Sequence, residues 1–317
     1  MKRIFLTGGT GFFGKWLLKR IQGLGTEVVI LSRNPERFCC EYSSLVNQCD
    51  VSFVKGDVRD FNYPTDKFDY VIHAATEASV KFDQKTQDDM YSVIVDGTKR
   101  VLDFSRQAGV QRILYVSSGA VYGVQPPELS HIPETFPCNP VTAYGKGKLR
   151  AEQMCLESGT DAVIARCFAF VGPWIPLDSH FAIGNFIGNC LRNEPIEIQG
   201  DGSPFRSYMY GLDLADWLMN ILLNGCSGGV YNVGSDEAIS ISDLAFKVRA
   251  CAGTESSIMI QGRPNKSGFP SRYVPSISKA KEELGVCFQF TLDAAIRQTL
   301  CWHRDQSCKS PERVKVL

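Results

Sequence analysis

The chain has 317 residues, 44% hydrophobic and 21% charged, with 34 Lys+Arg against 34 Asp+Glu. That length carries one large α/β domain with an appended lobe, or two modest domains, and the composition is that of an ordinary globule with a real core. Balanced charge supplies no global field to attract nucleic acid or an anionic membrane, so neither is expected as a partner. The opening MKRIFLTGGTG holds an apolar stretch too short for a secretory signal core, and no later segment reaches spanning length, so a cytoplasmic protein is expected. Twelve cysteines read as thiols in a reducing compartment. Cys39, Cys40 and Cys49 cluster, but no His or second Cys pair completes a zinc site, and no metal is expected.

Residues 3–7 (RIFLT) form a short apolar run closed by Gly8, the pattern of a buried parallel strand. The spacing of Phe13, Trp16, Leu17 and Ile21 predicts a helix from Phe12 to Gly23. Further strands are predicted at 27–31, 51–54 and 69–72. Met90, Val93, Ile94, Val101, Leu102 and Phe104 outline an amphipathic helix over 88–108. A fifth strand is predicted at 112–116, a helix at 143–157 and a sixth strand at 161–165. Strands alternating with helices of this length require crossovers, so the fold class is α/β: a Rossmann-type doubly wound parallel sheet. Beyond Arg166 the rhythm breaks at prolines 173 and 176. An apolar helix near 181–191 follows, then short mixed elements with Gly/Pro/Ser-rich stretches at 200–204 and 262–276. The expected organisation is a Rossmann domain over 1–166 and a smaller mixed α/β substrate lobe over 167–317, some of whose segments return to the first domain. The polar last dozen residues are expected to fray.

The turn 7-TGGTGFFG-14 follows the first strand and opens the first helix. Gly8, Gly11 and Gly14 let backbone N–H groups approach a pyrophosphate, the helix N-terminus adds favourable charge, and Thr10, Phe12 and Phe13 belong to the same cradle. An acidic residue ending the second strand would accept the adenosine ribose hydroxyls and repel a 2′-phosphate. Ser32-Arg33 stands there instead. A guanidinium suits a 2′-phosphate, so NADP(H) is preferred, with NAD(H) as the alternative. Asp57 and Val58, after the third strand, are placed to flank the adenine. Ala74, Ala75 and Thr76, after the fourth, leave room for the nicotinamide-side ribose. Tyr144 and Lys148 lie one helical turn apart, downstream of a strand ending in Ser117-Ser118. A phenol near its ordinary pKa of about 10 needs a downward pull of roughly 3, about 4 kcal/mol, to act near neutrality, and an adjacent ammonium has the right sign.

These motifs, with IHAAT at 72–76, YVSSGAVYG at 115–123 and RCFAFVGP at 166–173, resemble the extended short-chain dehydrogenase/reductase family. Its nucleotide-sugar epimerase, dehydratase and reductase branch fits best, and the likeness continues through 199–217, 231–245 and 272–285. The resemblance implies an NAD(P)-dependent oxidoreductase or epimerase with a centre of Ser118, Tyr144 and Lys148. Lys148 would also hold the nicotinamide ribose, and Ser118 would fix the substrate oxygen near the phenol. It implies a nucleotide-diphosphate sugar whose diphosphate meets Arg206 in FRSY and Arg272 in SRYV. His180, Phe181, Ala182 and Ile183, with Asn185, either border the base and sugar or form a core helix; Phe168 either packs or borders the nicotinamide. Many relatives carry Asn where this chain has Ile94 and Ala169, which implies a drier or differently shaped substrate site.

In the branch's 4,6-dehydratases the two positions after the catalytic hydroxyl are typically Asp-Glu, and its decarboxylases usually keep the Glu. Gly119 and Ala120 stand here and cannot transfer a proton, so both reactions rank low. The Ser/Tyr/Lys set alone serves either reduction of a keto-sugar or 4-epimerisation. Ser32-Arg33 argues for a consumed NADPH, which places a nucleotide-diphospho-4-keto-6-deoxyhexose 4-reductase ahead of a 4-epimerase with tightly bound NAD. A non-catalytic dinucleotide sensor ranks last, because all three groups persist. By analogy, the long helices covering 90–104 and 143–157 would pair two copies into a homodimer.

Overall fold

The computed structural model describes residues 2–76, 84–178, 181–263, 268 and 270–309. His180 and the polar tail from residue 310 lie outside them. Strands β1 (Lys2–Thr7), β2 (Thr26–Ser32), β3 (Asp50–Lys55), β4 (Tyr70–His73), β5 (Arg112–Ser118) and β6 (Ala162–Cys167) occupy the first half. Helices α1 (Phe12–Ile21), α2 (Pro35–Glu41), α3 (Ser43–Val46), α4 (Gln84–Gln107) and α5 (Ala143–Glu157) connect them. After β6 come β7 (Phe170–Val171), α6 (Ala182–Leu191), β8 (Ile196–Ile198), β9 (Phe205–Arg206) and β10 (Met209–Tyr210). The chain continues through α7 (Gly211–Asn224), β11 (Val230–Val233), β12 (Ile239–Ser240), α8 (Ile241–Ala252) and β13 (Ile258–Ile260). It ends with β14 (Arg272–Tyr273), α9 (Ser278–Leu284) and α10 (Leu292–Lys309).

Seven strands form one parallel sheet in the order β11-β6-β5-β4-β1-β2-β3. Successive side chains of a strand face opposite ways, and both ways are apolar here. Phe5, Val29, Leu31, Val71, Ile113, Tyr115 and Ile164 pack under α4 and α5, joined by Val93, Ile94, Val101, Leu102 and Phe104 of α4. Ile4, Leu6, Val28, Ile30, Ile72, Leu114, Val116 and Val163 face the other layer, with Leu17 of α1 and Leu214 and Leu218 of α7. The doubly wound sheet is thus the predicted one, with β11 added at its edge. Strand order reverses about β1, which opens a crevice between the C-terminal ends of β1 and β4.

A helix not foreseen follows β2, and a strand from the later residues joins the main sheet. α2 starts where Asn34 accepts from Arg37 N–H at 3.1 Å and Pro35 takes the first helical position, a start signal that needs no long apolar run. β11 pairs with β6, so Val230–Val233 belongs to the main sheet. Strands β12, β9 and β14 form a separate three-stranded sheet in the order β12-β9-β14. Among the described residues no helix is long and apolar enough to cross a membrane.

Candidate active site

At the end of β1 the backbone turns through Gly8 with φ of +73°, where a Cβ would lie 2.5 Å from the Ala74 carbonyl oxygen beyond β4. A Cβ at Gly14 would be driven into the Gly9 backbone. The glycines therefore let turn, helix and neighbouring strand close on one another. Gly11 is the N-cap of α1 without a side-chain cap, and no acidic residue stands in the first turn, so the first amides and the helix dipole are left for an anion. The buried Thr76 Oγ1 has no partner among the described residues. These features fit a dinucleotide. Thr10 is half-buried in the turn. Phe12 and Phe13 spend their rings on Trp16 and Phe170, at centroid distances of 6.4 and 5.0 Å.

At the end of β2, Ser32 is buried and its hydroxyl accepts from Asn34 N–H at 3.2 Å, while Arg33 is exposed. Burial raises the Asp57 carboxyl, but Arg59, bonded at 2.9 Å, and the Arg33 charge outweigh it and hold Asp57 below its usual value. Val58 packs against Gly97 of α4, so its side chain serves the core.

Tyr144 opens α5, whose N-cap Thr142 accepts from Gly145 N–H at 3.0 Å. Lys148 is buried, donates to the Val116 carbonyl at 2.9 Å, and stands 5.8 and 5.1 Å from the Tyr144 and Tyr115 ring centroids. Burial pushes Lys148 down to about 8. Burial also pushes the Tyr144 phenol up to about 12, with Ser118 as a hydrogen-bond partner pulling the other way. The ammonium bonds the Val116 carbonyl rather than the phenol, and at Tyr144 burial outweighs the downward pull. Tyr144 rests protonated.

Ser118 caps the 3-10 turn Gly119–Tyr122, its Oγ accepting from Ala120 N–H at 3.2 Å. A Cβ at Gly119 would lie 2.7 Å from Phe168 Cζ and 2.8 Å from the Tyr273 hydroxyl. Tyr273, absent from the residues singled out in the sequence, therefore reaches the turn from β14. The signal was its place beside Arg272 in SRYV. Tyr273 pairs in register with Arg206, and Arg272 with Phe205, over whose ring the Arg272 guanidinium lies at 4.3 Å. Paired residues share a face, so Arg206 lies with Tyr273 and Arg272 lies on the opposite side. On α6, the buried Asn185 Oδ1 has no partner among the described residues, and Phe181 is exposed at the N-cap.

Two buried networks support these groups, and neither was foreseen. Thr98 Oγ1 donates to the Ile94 carbonyl at 2.6 Å, so it accepts from His73 Nε2 at 3.0 Å. Thr7 Oγ1 accepts from Ala75 N–H at 3.1 Å and donates to His73 Nδ1 at 2.7 Å. Burial, with the Lys148 charge, pushes His73 down to about 3 and keeps it neutral. Beneath Ser118, Glu152 of α5 pairs with Arg166 of β6 at 2.7 Å, both side chains buried, and accepts from the Ser117 hydroxyl. Arg166 lies 4.8 Å over the Tyr122 ring, and Tyr122 donates to Asn232 Oδ1 of β11 at 2.8 Å.

A glycine cradle at the strand-order reversal, followed by a serine, a phenol and a buried lysine, defines a dinucleotide-binding α/β protein of short-chain dehydrogenase/reductase build. Residues 4–234 match the NAD dependent epimerase/dehydratase family, and the chain belongs to that family of enzymes. It is 28% identical over 292 residues to UDP-glucuronic acid decarboxylase 1 of Arabidopsis thaliana, covering 89% of this chain and 65% of that protein. The chain thus spans just under two thirds of that curated relative's length. A UDP-glucose 4-epimerase from Thermotoga maritima, solved with UDP-glucose, shares the fold with a TM-score of 0.83 at 22% identity, over 96% of this chain and 99% of that one. A dTDP-glucose 4,6-dehydratase from Streptomyces venezuelae, solved with NAD, gives 0.84 at 23%, over 97% and 98%.

Proposed function

We propose that this chain is an NAD(P)-dependent nucleotide-sugar-modifying enzyme, and specifically a nucleotide-diphospho-4-keto-6-deoxyhexose 4-reductase. The observation that carries the reading is the closed space after Ser118. Gly119 and Ala120 bring no acid, and the volume that a side chain at 119 would take is held by Phe168 and Tyr273. An Asp at 119, as dehydration would need, has no room there, and decarboxylation would lack its Glu at 120, which favours the chemistry of Ser118, Tyr144 and Lys148.

Residues 1–166 would bind the dinucleotide and most of 167–317 the sugar. The glycine turn would hold the pyrophosphate, Ser32, Arg33, Asp57 and Val58 the adenosine side, and Ala74, Ala75, Thr76, Lys148 and Phe168 the nicotinamide side. The bound cofactor supplies a hydride. Ser118 would donate to the keto oxygen and fix it, and Tyr144 would deliver its proton there, turning the carbonyl into an alcohol. Arg206 of β9 and Arg272 of β14 are the cations proposed for the diphosphate, with Phe181 and Asn185 bordering the nucleotide. A phenol held protonated suits a reaction that begins by giving a proton; an epimerase begins by taking one. The exposed Arg33 supports NADPH. A 4-epimerase with tightly bound NAD is the second reading, favoured by Asp57, whose carboxylate offsets the pull of Arg33 on a 2′-phosphate. We also propose a cytoplasmic homodimer, paired through α4 and α5, which leave Tyr91 and Leu156 exposed.

The test mixes purified protein with NADPH or NADH and 4-keto-6-deoxy nucleotide sugars and follows the reduced-nicotinamide absorbance. Loss of signal with NADPH, abolished by Tyr144→Phe, is expected. Interconversion of 4-epimers without net cofactor consumption would replace the reductase by the epimerase, and turnover surviving in Tyr144→Phe would overturn both.

A further inference from the structure

Ser118 is approached by two phenols, and a count of its bonding capacity assigns them different tasks. A serine hydroxyl has one hydrogen and two acceptor lone pairs. One lone pair of Ser118 is taken by Ala120 N–H at 3.2 Å. Tyr144 stands on the α5 side, and Tyr273 comes from β14 on the other.

Tyr273 is held for this. The next residue, Val274, donates its N–H to Gln125 Oε1 at 2.9 Å and accepts from Ile132 N–H at 2.9 Å. The Tyr273 ring lies 4.7 Å from that of Phe168. Its hydroxyl reaches the Ser118–Gly119 turn only because position 119 lacks a Cβ, which would sit 2.8 Å from it. The titratable and charged groups facing it are Tyr144 of α5, Cys167 of β6 and Arg206 of β9, with Lys148 beyond the Tyr144 ring. Burial holds the Tyr273 phenol well above its ordinary value, so it stays a donor and cannot serve as a base near neutrality.

We infer that Tyr273 is a positioning residue: its O–H donates to the second lone pair of Ser118 and thereby commits the serine hydrogen to the Tyr144 side, where the proton moves. The inference rests on the proposed roles of Ser118 and Tyr144. A hydrogen bond received by a hydroxyl also strengthens the one it donates. Before the sugar binds, the serine hydrogen is donated to the Tyr144 oxygen and supports its phenolate; with the sugar bound it is donated to the keto oxygen, and Tyr273 strengthens that bond without touching either partner.

Tyr273→Phe keeps the ring and removes the donor. The expected result is a fall in kcat of about three- to ten-fold, the worth of one neutral hydrogen bond, with KM for the sugar unchanged. The pH limb that reports Tyr144 moves upward, because its phenolate has lost support. In a Ser118→Ala background the same substitution has no further effect. A readout that needs no sugar is the ionisation midpoint of Tyr144 in 13C-tyrosine-labelled, dinucleotide-bound protein, its resonance identified by loss in Tyr144→Phe; this midpoint also rises. An unmoved midpoint and limb, a rise in KM alone, or equal losses in both backgrounds overturn the inference. If Tyr144→Phe is inactive while Tyr273→Phe behaves as wild type, only the role of Tyr273 falls; if Tyr144→Phe turns over normally, the site reading itself falls. Should Tyr273→Phe show no cooperative melting, Gly119→Ala displaces the phenol from the turn instead and must reproduce the raised limb, and a wild-type limb there overturns the inference.

Discussion

Replacing Lys148 by methionine should stabilise the protein while abolishing turnover. The ammonium is 1% exposed and burial lowers it to about 8 from an ordinary 10.5. That difference of about 2.5 in pKa is worth about 3 kcal/mol, charged against the folded state wherever the amine is protonated in both states. Between pH 8 and 10.5 the unfolded chain holds more protons than the native one. Stability of the wild type therefore rises with pH through that window, and the whole cost is present below it. Methionine matches the stem but loses the bond to the Val116 carbonyl, a loss of about 1 kcal/mol. Urea unfolding at pH 7 should favour Lys148→Met by about 2 kcal/mol on this arithmetic. The advantage should vanish by pH 10.5, and NADPH oxidation should be lost throughout. A variant less stable than wild type at pH 7, or a difference independent of pH, would refute the assignment of the buried charge.

Glu152→Gln should cost about 3–5 kcal/mol, because it strands the Arg166 charge, and should lower the melting temperature by roughly 5–7 °C. Adding Arg166→Met should recover most of that loss, and a double variant as unstable as the single one would contradict it. His73 is held down to about 3, so between pH 6.5 and 3 the unfolded chain binds a proton that the native one refuses, and stability present above 6.5 is lost on acidification. By pH 5 that loss is about 2 kcal/mol, and the acid limb of urea unfolding should flatten by this amount in His73→Gln. Arg33→Ala should raise KM for NADPH about tenfold and leave KM for NADH unchanged, so equal effects on both cofactors would remove Arg33 from the 2′-phosphate.

The central strands were legible because both their faces are buried, which turns β1, β2, β5 and β6 into apolar runs. Their ends were not. β5 continues to Ser118 and β6 to Cys167 because the ladder persists past the last apolar residue, and Ser117 and Arg166 there share Glu152 as a partner. Which later segment joins the main sheet was not legible, because the pairing of Val230–Val233 with β6 is non-local and nothing in four residues records a partner so distant in sequence. The glycine turn and the Tyr144–Lys148 pair are local patterns and stood out. The setting of their pKa values did not, since a cation one turn away shows in the sequence, whereas the burial that overrides it does not. Tyr273 was hidden for another reason: whether it or Arg272 faces Ser118 depends on the register of β14 against β9.

The same burial that ranks the groups chemically makes the centre a point of weakness, and the surrounding polar networks answer it. Lys148 and Tyr144 ride on α5, and α5 is fixed to β6 by the Glu152–Arg166 pair four residues beyond the lysine. Arg166 in turn leans on Tyr122, which closes the turn begun at Ser118 and is bonded to β11 through Asn232. Asn232 also donates to the Ile132 and Ser276 carbonyls, where Ile132 pairs with the segment just after Tyr273. A displacement of β14 would therefore alter both the donor to Ser118 and the support of the turn that holds it. Substitutions along Arg166, Tyr122 and Asn232 should thus change proton transfer before they change the cradle at β1.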